Sequence, residues 1–188
     1  MIRLFVAIPL PDTIRMQLAM LQSGLQGARW VKPENIHLTL RFIGDVPNDQ
    51  AHDIDAALAG IKIPGFTLAF DGIGSFAWGS NPHALWVGVA KSEPLMRLQA
   101  KIETALVRTG LPPESRKFAP HATLARLKHA KPARIATWAE EHGAFRTPPF
   151  DVDRFILFSS FLASEGAIYT PQVEYPLEVV GSESASPP

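Results

Sequence analysis

Apolar positions along the chain alternate between two spacings. Residues 3–9 form a nearly unbroken apolar run of strand length. Pro11 and Asp12 then open a stretch in which Ile14, Leu18, Leu21 and Leu25 recur at helical spacing until Gly27. Residues 36–43 alternate apolar and polar side chains with the period of two that marks a half-buried strand. A second helix is predicted over 48–58, with Ala51, Ile54 and Leu58 on one face and Gly60 as its stop, and a third strand over 66–70. The order then starts again. Residues 84–90 read as a strand, and Ser92 is placed to cap a helix that carries Leu95, Leu98, Ile102 and Leu106 and closes at Gly110. A strand follows over 121–127, then a helix over 132–142 with Ile135, Trp138 and Ala139, ended by Gly143. Residues 150–161 hold further strand, and 167–180 add one or two more. Each half predicts strand, helix, strand, helix, strand. The expectation is an α+β fold of two duplicated lobes, about 1–74 and 84–160, completed by final strands over 161–180 into a single domain of residues 1–180. The Gly- and Ser-rich stretch 74–84 is the expected loop between lobes.

The middle strand of each half carries the same phrase. His37-Leu38-Thr39-Leu40 and His121-Ala122-Thr123-Leu124 both read His-x-Thr-Leu. A lone histidine on a strand is usually an ordinary surface or satisfied residue. With 6 histidines in 188 residues, chance supplies roughly 0.03 such matches, so two of them in corresponding places point to a shared site. Alternation puts His37, Thr39 and Arg41 in one row, opposite Ile36, Leu38, Leu40 and Phe42. It puts His121, Thr123 and Ala125 in one row, opposite Ala122 and Leu124. If a pseudo-twofold relates the lobes, both polar rows line one groove.

Composition narrows the chemistry. The chain has 188 residues, 46% hydrophobic and 19% charged, with zero formal net charge and no cysteine. That is enough for a sizeable core. It excludes thiol nucleophiles, disulfides and thiolate metal sites. Zero net charge means that any contact with nucleic acid is local and not the work of a basic surface. The opening MIRLFVAIPLPD reads as a buried strand, since its apolar run is short and no small-residue cleavage site follows. No run approaches the length needed to span a membrane. A cytoplasmic location, no membrane partner and a monomer are expected, and the small, polar residues 181–188 read as a disordered tail.

Two imidazoles and two hydroxyls on one groove suit in-line displacement at phosphorus. Histidine titrates near neutrality, so one ring can act as base while the other acts as acid. The threonine hydroxyls can donate to the non-bridging oxygens as charge develops there. No metal or other cofactor is needed for this, and a zinc site is disfavoured because neither H-x-H nor HExxH spacing occurs. A P-loop and the GxSxG nucleophile elbow are absent. His52, His83, His129 and His142 read as ordinary. Cations gather near the motifs: Arg29, Lys32 and Arg41 at the first, and Arg116, Lys117, Arg126 and Lys128 at the second. Trp30, Trp78 and Phe118 are the aromatics that could stack a base, though each is more often a core residue.

These motifs, with RLFVAIPLP at the start, WVKPENIHLTLRFIGD, APHATLARL and the late FILFSSFLASEGAIYTPQVEYPL, resemble the 2H phosphoesterases over nearly the whole chain. Within them the sequence is similar to the RNA 2′,3′-cyclic phosphodiesterases, the LigT-like proteins once called 2′-5′ RNA ligases. The resemblance implies a bilobed fold with mainly antiparallel sheets flanking a central groove. It implies hydrolysis of RNA 2′,3′-cyclic phosphate ends to 2′-phosphates without a metal, with RNA ends and nucleotides as ligands. By that likeness His37 is the proton donor, His121 the proton acceptor, and Thr39 and Thr123 hold the phosphate. The family's arginine after the second motif falls on Arg126, which strict alternation would place opposite His121 unless a bulge or the strand's end turns it into the groove. The rival readings are a binding module that holds 2′-5′-linked or 2′-phosphorylated nucleotides without turnover, a phosphoesterase for another ester, and reversible 2′-5′ ligation.

Overall fold

The computed structural model describes residues 1–164 and 166–180; the expected disordered tail lies outside the described residues. In chain order the elements are β1 (Ile2–Pro9), α1 (Asp12–Ala19), β2 (Ala28–Trp30), a 3-10 turn (Pro33–Asn35), β3 (His37–Val46), α2 (Asn48–Ala59), β4 (Phe66–Leu68), β5 (Phe70–Trp78), β6 (Asn81–Val89), α3 (Glu93–Arg108), β7 (His121–Leu127), α4 (Pro132–His142), β8 (Phe150–Val152), β9 (Arg154–Ala163) and β10 (Gly166–Pro176). The main sheet runs β10-β9-β1-β3-β7-β6-β5, with β2 pairing β7 off that path, while β4 and β8 form a separate ribbon. Every strand pairing is antiparallel.

The duplicated α+β pattern is present, but the halves are interlocked. β5, the last strand of the first half, pairs with β6 of the second. β9, from the second half, pairs with β1 of the first. Each half therefore completes the other's sheet, and at its centre β7 pairs with both β3, through Leu38↔Ala122, and β2. The expected inter-lobe loop over 74–84 is mostly strand, the end of β5 turning tightly into β6. Its glycines suggested a loop, but Gly74 serves packing: a Cβ there would lie 2.2 Å from the Trp86 indole across the ladder.

One face of the sheet is covered by helices. Val6, Leu38, Leu85 and Leu124 on the strands are buried with Leu18, Ile54, Leu98, Ile102 and Trp138 from the four helices. Each fully buried aliphatic side chain contributes roughly 1.5–3 kcal/mol from removal of apolar surface from water. Ser92 caps α3 as its position predicts, accepting from the Leu95 amide at 3.3 Å. α1 ends at Ala19, earlier than the apolar spacing predicts, although Leu21 and Leu25 are still buried. Beyond it, Gln22 spends its side-chain amide on the carbonyls of Val31 and Leu124, at 2.6 and 3.1 Å. That contact ties the chain to β7 and to the residue after β2, where a continuing helix would carry it away.

Candidate active site

β3 and β7 lie side by side at the centre of the sheet, each beginning at its motif histidine. Leu38 and Ala122, the residues between His and Thr in each motif, are direct partners and are completely buried on the helix side. Continued by one residue either way, that antiparallel register sets His37 level with Thr123 and Thr39 level with His121. All four side chains are half-buried on the face away from the helices. The expected groove is therefore a single strip where two adjacent strands meet.

Both imidazoles are held in the same way. The Nδ1 of His37 lies 2.7 Å from the Asn35 carbonyl, and that of His121 lies 2.7 Å from the Ala119 carbonyl. A carbonyl oxygen only accepts, so Nδ1 carries the proton and donates in each ring. Nε2 is then the free nitrogen of both, able to take a proton or, once protonated, to give one. Backbone geometry two residues upstream thus fixes the tautomer at both positions.

Their surroundings differ. His37 stacks on Phe5 at 4.9 Å between ring centroids, with Phe158 at 6.1 Å and the edge of Tyr169 at 5.2 Å. His121 meets Phe76 edge-on at 4.8 Å and Trp86 at 6.1 Å. Burial holds the His37 imidazole down to about 4; the Asn35 hydrogen bond opposes this and the charge of the facing His121 adds to it. His121 is also lowered, chiefly by burial. Both rings are therefore neutral in the empty site at pH 7. Since the cationic form of each is disfavoured by a dry, apolar wall, an anion placed between them raises both.

A bulge in each motif strand decides where the arginines go. On β3, Ala7 faces Thr39 and Val6 faces Arg41, so Leu40 is the extra residue. On β7, Trp86 faces Thr123 and Leu85 faces Ala125, so Leu124 is extra. Past a bulge the alternation inverts. Arg41, expected in the polar row with His37 and Thr39, is instead 9% exposed on the helix side. There its guanidinium donates to Glu103 at 2.6 Å and to the carbonyls of Phe42 and Pro112 at 2.5 and 2.7 Å. Arg126, which strict alternation would turn to the apolar face, is exposed on the open face, and the bulge is the device that puts it there. The two strand ends are thus opposite in content: Phe42 faces the groove on β3, where Arg126 faces it on β7.

Beside His37 a cleft of about 1040 Å³ opens. Neither motif imidazole lines it, but it shares Phe5, Asn35 and Tyr169 with the surroundings of His37, and Arg126, Arg29, Lys32 and Trp30 also face it. The remaining cations of the sequence reading, Arg116, Lys117 and Lys128, are exposed away from this cleft. Of the candidate stacking aromatics, Trp30 packs near Trp138 at 5.9 Å and Phe118 lies against the core. Trp78 is 70% exposed at the end of the β5–β6 hairpin, its ring 4.0 Å from His83. Sequence reasoning missed the aromatic walls of the histidines. Phe5 and Phe158 read as core strand residues, and only the pairing of β1 with β9 brings both to the open face. Among the described residues no group of three His, Cys, Asp or Glu stands together, and no helix is long and apolar enough to cross a membrane.

The model of the LigT-like phosphoesterase family matches residues 8–86 and again 87–169, one match on each sequence half. An RNA 2′,3′-cyclic phosphodiesterase of Archaeoglobus fulgidus is 31% identical over 89% of this chain and 96% of its own length. One of Aeropyrum pernix is 37% identical over 74% of this chain and 80% of its own. The structure of Escherichia coli LigT complexed with 3′-AMP superposes with a TM-score of 0.76, at 30% identity, over 94% of this chain and 98% of that one. The family model spans both halves, the similarity to these relatives runs over most of their length, and the chain belongs to the LigT-like family of 2H phosphoesterases.

Proposed function

We propose that this protein hydrolyses RNA 2′,3′-cyclic phosphate ends to 2′-phosphates with His37 as acid, His121 as base and no metal. One observation carries this: two strand-borne imidazoles, each anchored through Nδ1–H with Nε2 free, flank one strip together with two hydroxyls. Two titrating groups with free nitrogens serve proton transfer; holding a nucleotide without turnover needs neither.

The cyclic phosphate sits between the rings. Its negative charge offsets the desolvation of His37 and makes the protonated form accessible. His121 Nε2 takes a proton from water as the water oxygen bonds to phosphorus. The bond from phosphorus to the ribose O3′ breaks, and His37 Nε2–H gives O3′ its proton. The product keeps its ester at O2′. Thr39 and Thr123 donate to the non-bridging oxygens, and Arg126 balances the charge that builds on them. The family likeness supports the assignment of acid and base, and the deeper burial of His37 fits the side that must exclude water. The reading places a monomer on RNA in the cytoplasm.

Turnover of a 2′,3′-cyclic mononucleotide in EDTA, followed by chromatography of the product, tests this. A 2′-nucleotide is expected. No turnover, or activity that EDTA removes and a divalent ion restores, overturns it.

A further inference from the structure

The charges in the cleft beside His37 are arranged in a way the cyclic phosphate alone does not use. β2 pairs with β7 so that Arg29 stands directly opposite Arg126. Like charges directly opposite on a sheet destabilise the pairing. Neither guanidinium has a carboxylate partner among the described residues, and Lys32 lines the same cleft. Such an arrangement is relieved by an anion lying between the arginines, and one phosphate at the histidines accounts for Arg126 only.

Part of the cleft wall is apolar. Phe42, Leu162 and Ile168 face it and are 62%, 66% and 53% exposed. Apolar side chains left open beside unpaired cations match a nucleotide, whose base wants a flat apolar contact and whose phosphate wants guanidinium. The cleft also lies on the side the chemistry requires. In-line attack puts water on the His121 side and the ribose on the His37 side, and the rest of an RNA strand leaves through that ribose.

We infer that this cleft is a subsite for the nucleotide preceding the cyclic end, with Arg29 and Lys32 gripping the phosphodiester that joins it to the terminal nucleoside. This rests on the proposed hydrolysis of cyclic phosphate ends and deepens it with a length preference: oligonucleotide ends are taken in preference to mononucleotides. Arg126 serves both phosphates.

The test compares kcat/KM on a 2′,3′-cyclic mononucleotide and on a trinucleotide ending in the same cyclic phosphate. The native protein is expected to prefer the trinucleotide. Arg29→Gln is expected to lower kcat/KM on the trinucleotide about tenfold more than on the mononucleotide, with Arg29→Lys between them. The slope of log kcat/KM against log salt for the trinucleotide falls by about 0.7 when one phosphate contact is removed from a single strand. Lys101→Gln, on the far side of the molecule at α3, removes the same charge and is expected to leave the preference unaltered. If Arg29→Gln changes both substrates equally, or Lys101→Gln shifts the preference as much, the subsite is wrong while the hydrolysis stands. If the native protein turns over neither substrate, the parent reading fails and the subsite with it.

Discussion

The β3 and β7 motifs share three residues of four, one tautomer and one bulge, yet their surroundings differ. On β3 the residues after the shared Leu40 are Arg41 and Phe42; on β7 those after Leu124 are Ala125 and Arg126. The bulge sends the first of each pair to the helix side and the second to the groove. An arginine moved by one position thus becomes a buried tie to Glu103 in one half and, in the other, a cation facing the cleft with no carboxylate partner among the described residues. The histidines diverge in the same sense. His37 is closed in by Phe5, Phe158 and Tyr169, while His121 keeps a more open setting against Phe76 and Trp86. The duplication supplied a symmetric pair of imidazoles, and the packing around each made them unequal.

The sharpest way to break this comparison is to remove each imidazole in turn. His37→Ala and His121→Ala are each expected to lose ~10²–10⁴ in rate on a cyclic nucleotide. An aryl phosphodiester that fits the groove releases a phenolate that needs little protonation. On it His37→Ala is expected to recover most of its loss, and His121→Ala none. Measuring kcat/KM for both variants on both substrates decides it: rescue of His121→Ala would reverse the roles, and rescue of neither would remove the division of labour.

The hydroxyls come next. Thr39→Val and Thr123→Val are expected to cost ~10²–10³ in kcat with unaltered thermal midpoints, since both side chains face the groove. A lowered midpoint with full activity per folded molecule would make the threonines structural.

The arginines give a contrast of kind. Arg41→Ala is expected to lower stability by about 2 kcal/mol through loss of charged hydrogen bonds from a buried guanidinium. Arg126→Ala is expected to leave stability within about 0.5 kcal/mol and to reduce kcat/KM. Denaturant unfolding and kinetics on the two variants side by side check this, and a stability loss at Arg126 equal to that at Arg41 would undo the inverted alternation.

The smallest effect lies in the pH dependence. Sequence alone suggests a bell centred near neutrality. With His37 near 4 and His121 below its ordinary 6.5, kcat/KM for the free enzyme is expected to peak between about 4 and 6.5. Removing part of the wall by Tyr169→Ala admits water to His37 and moves its limb upward. The same burial acts on stability. A histidine lowered on folding binds fewer protons than it does unfolded, so stability is full above 6.5 and falls as pH drops toward 4. His37→Phe, which cannot take the proton, flattens that part of a Tm–pH curve. An unchanged curve would mean that His37 does not titrate there.

The sequence made the elements legible wherever apolar period and burial coincide: the α3 residues Leu95, Leu98, Ile102 and Leu106 are all buried as spaced. It made legible the four side chains of the candidate site, which share one face, because the motifs repeat. It misplaced Arg41, and left the side of Arg126 open, for one physical reason. An extra residue in a ladder inverts every later side chain, and neither Leu40 nor Leu124 is distinguishable in type from an ordinary strand residue. The β5–β6 hairpin was hidden because Gly74 answers to the Trp86 indole across the ladder, a contact with no local signal. The aromatic wall of His37 was hidden because Phe5 and Phe158 become neighbours only through pairing across nearly the whole chain.

That last pairing also bears on how the molecule is made. During synthesis β1 leaves the ribosome well ahead of β9, and β3 can join one of its edges soon afterwards. Its other edge waits for β9, roughly 150 residues later, which at 5–20 residues per second is on the order of 10 s. Throughout that interval Leu4–Ala7 present an unpaired apolar edge open to strand addition by other nascent chains. The wall that dries His37 is closed only once β9 and Tyr169 of β10 have been made, so the strand that carries the ring waits in water for its cover.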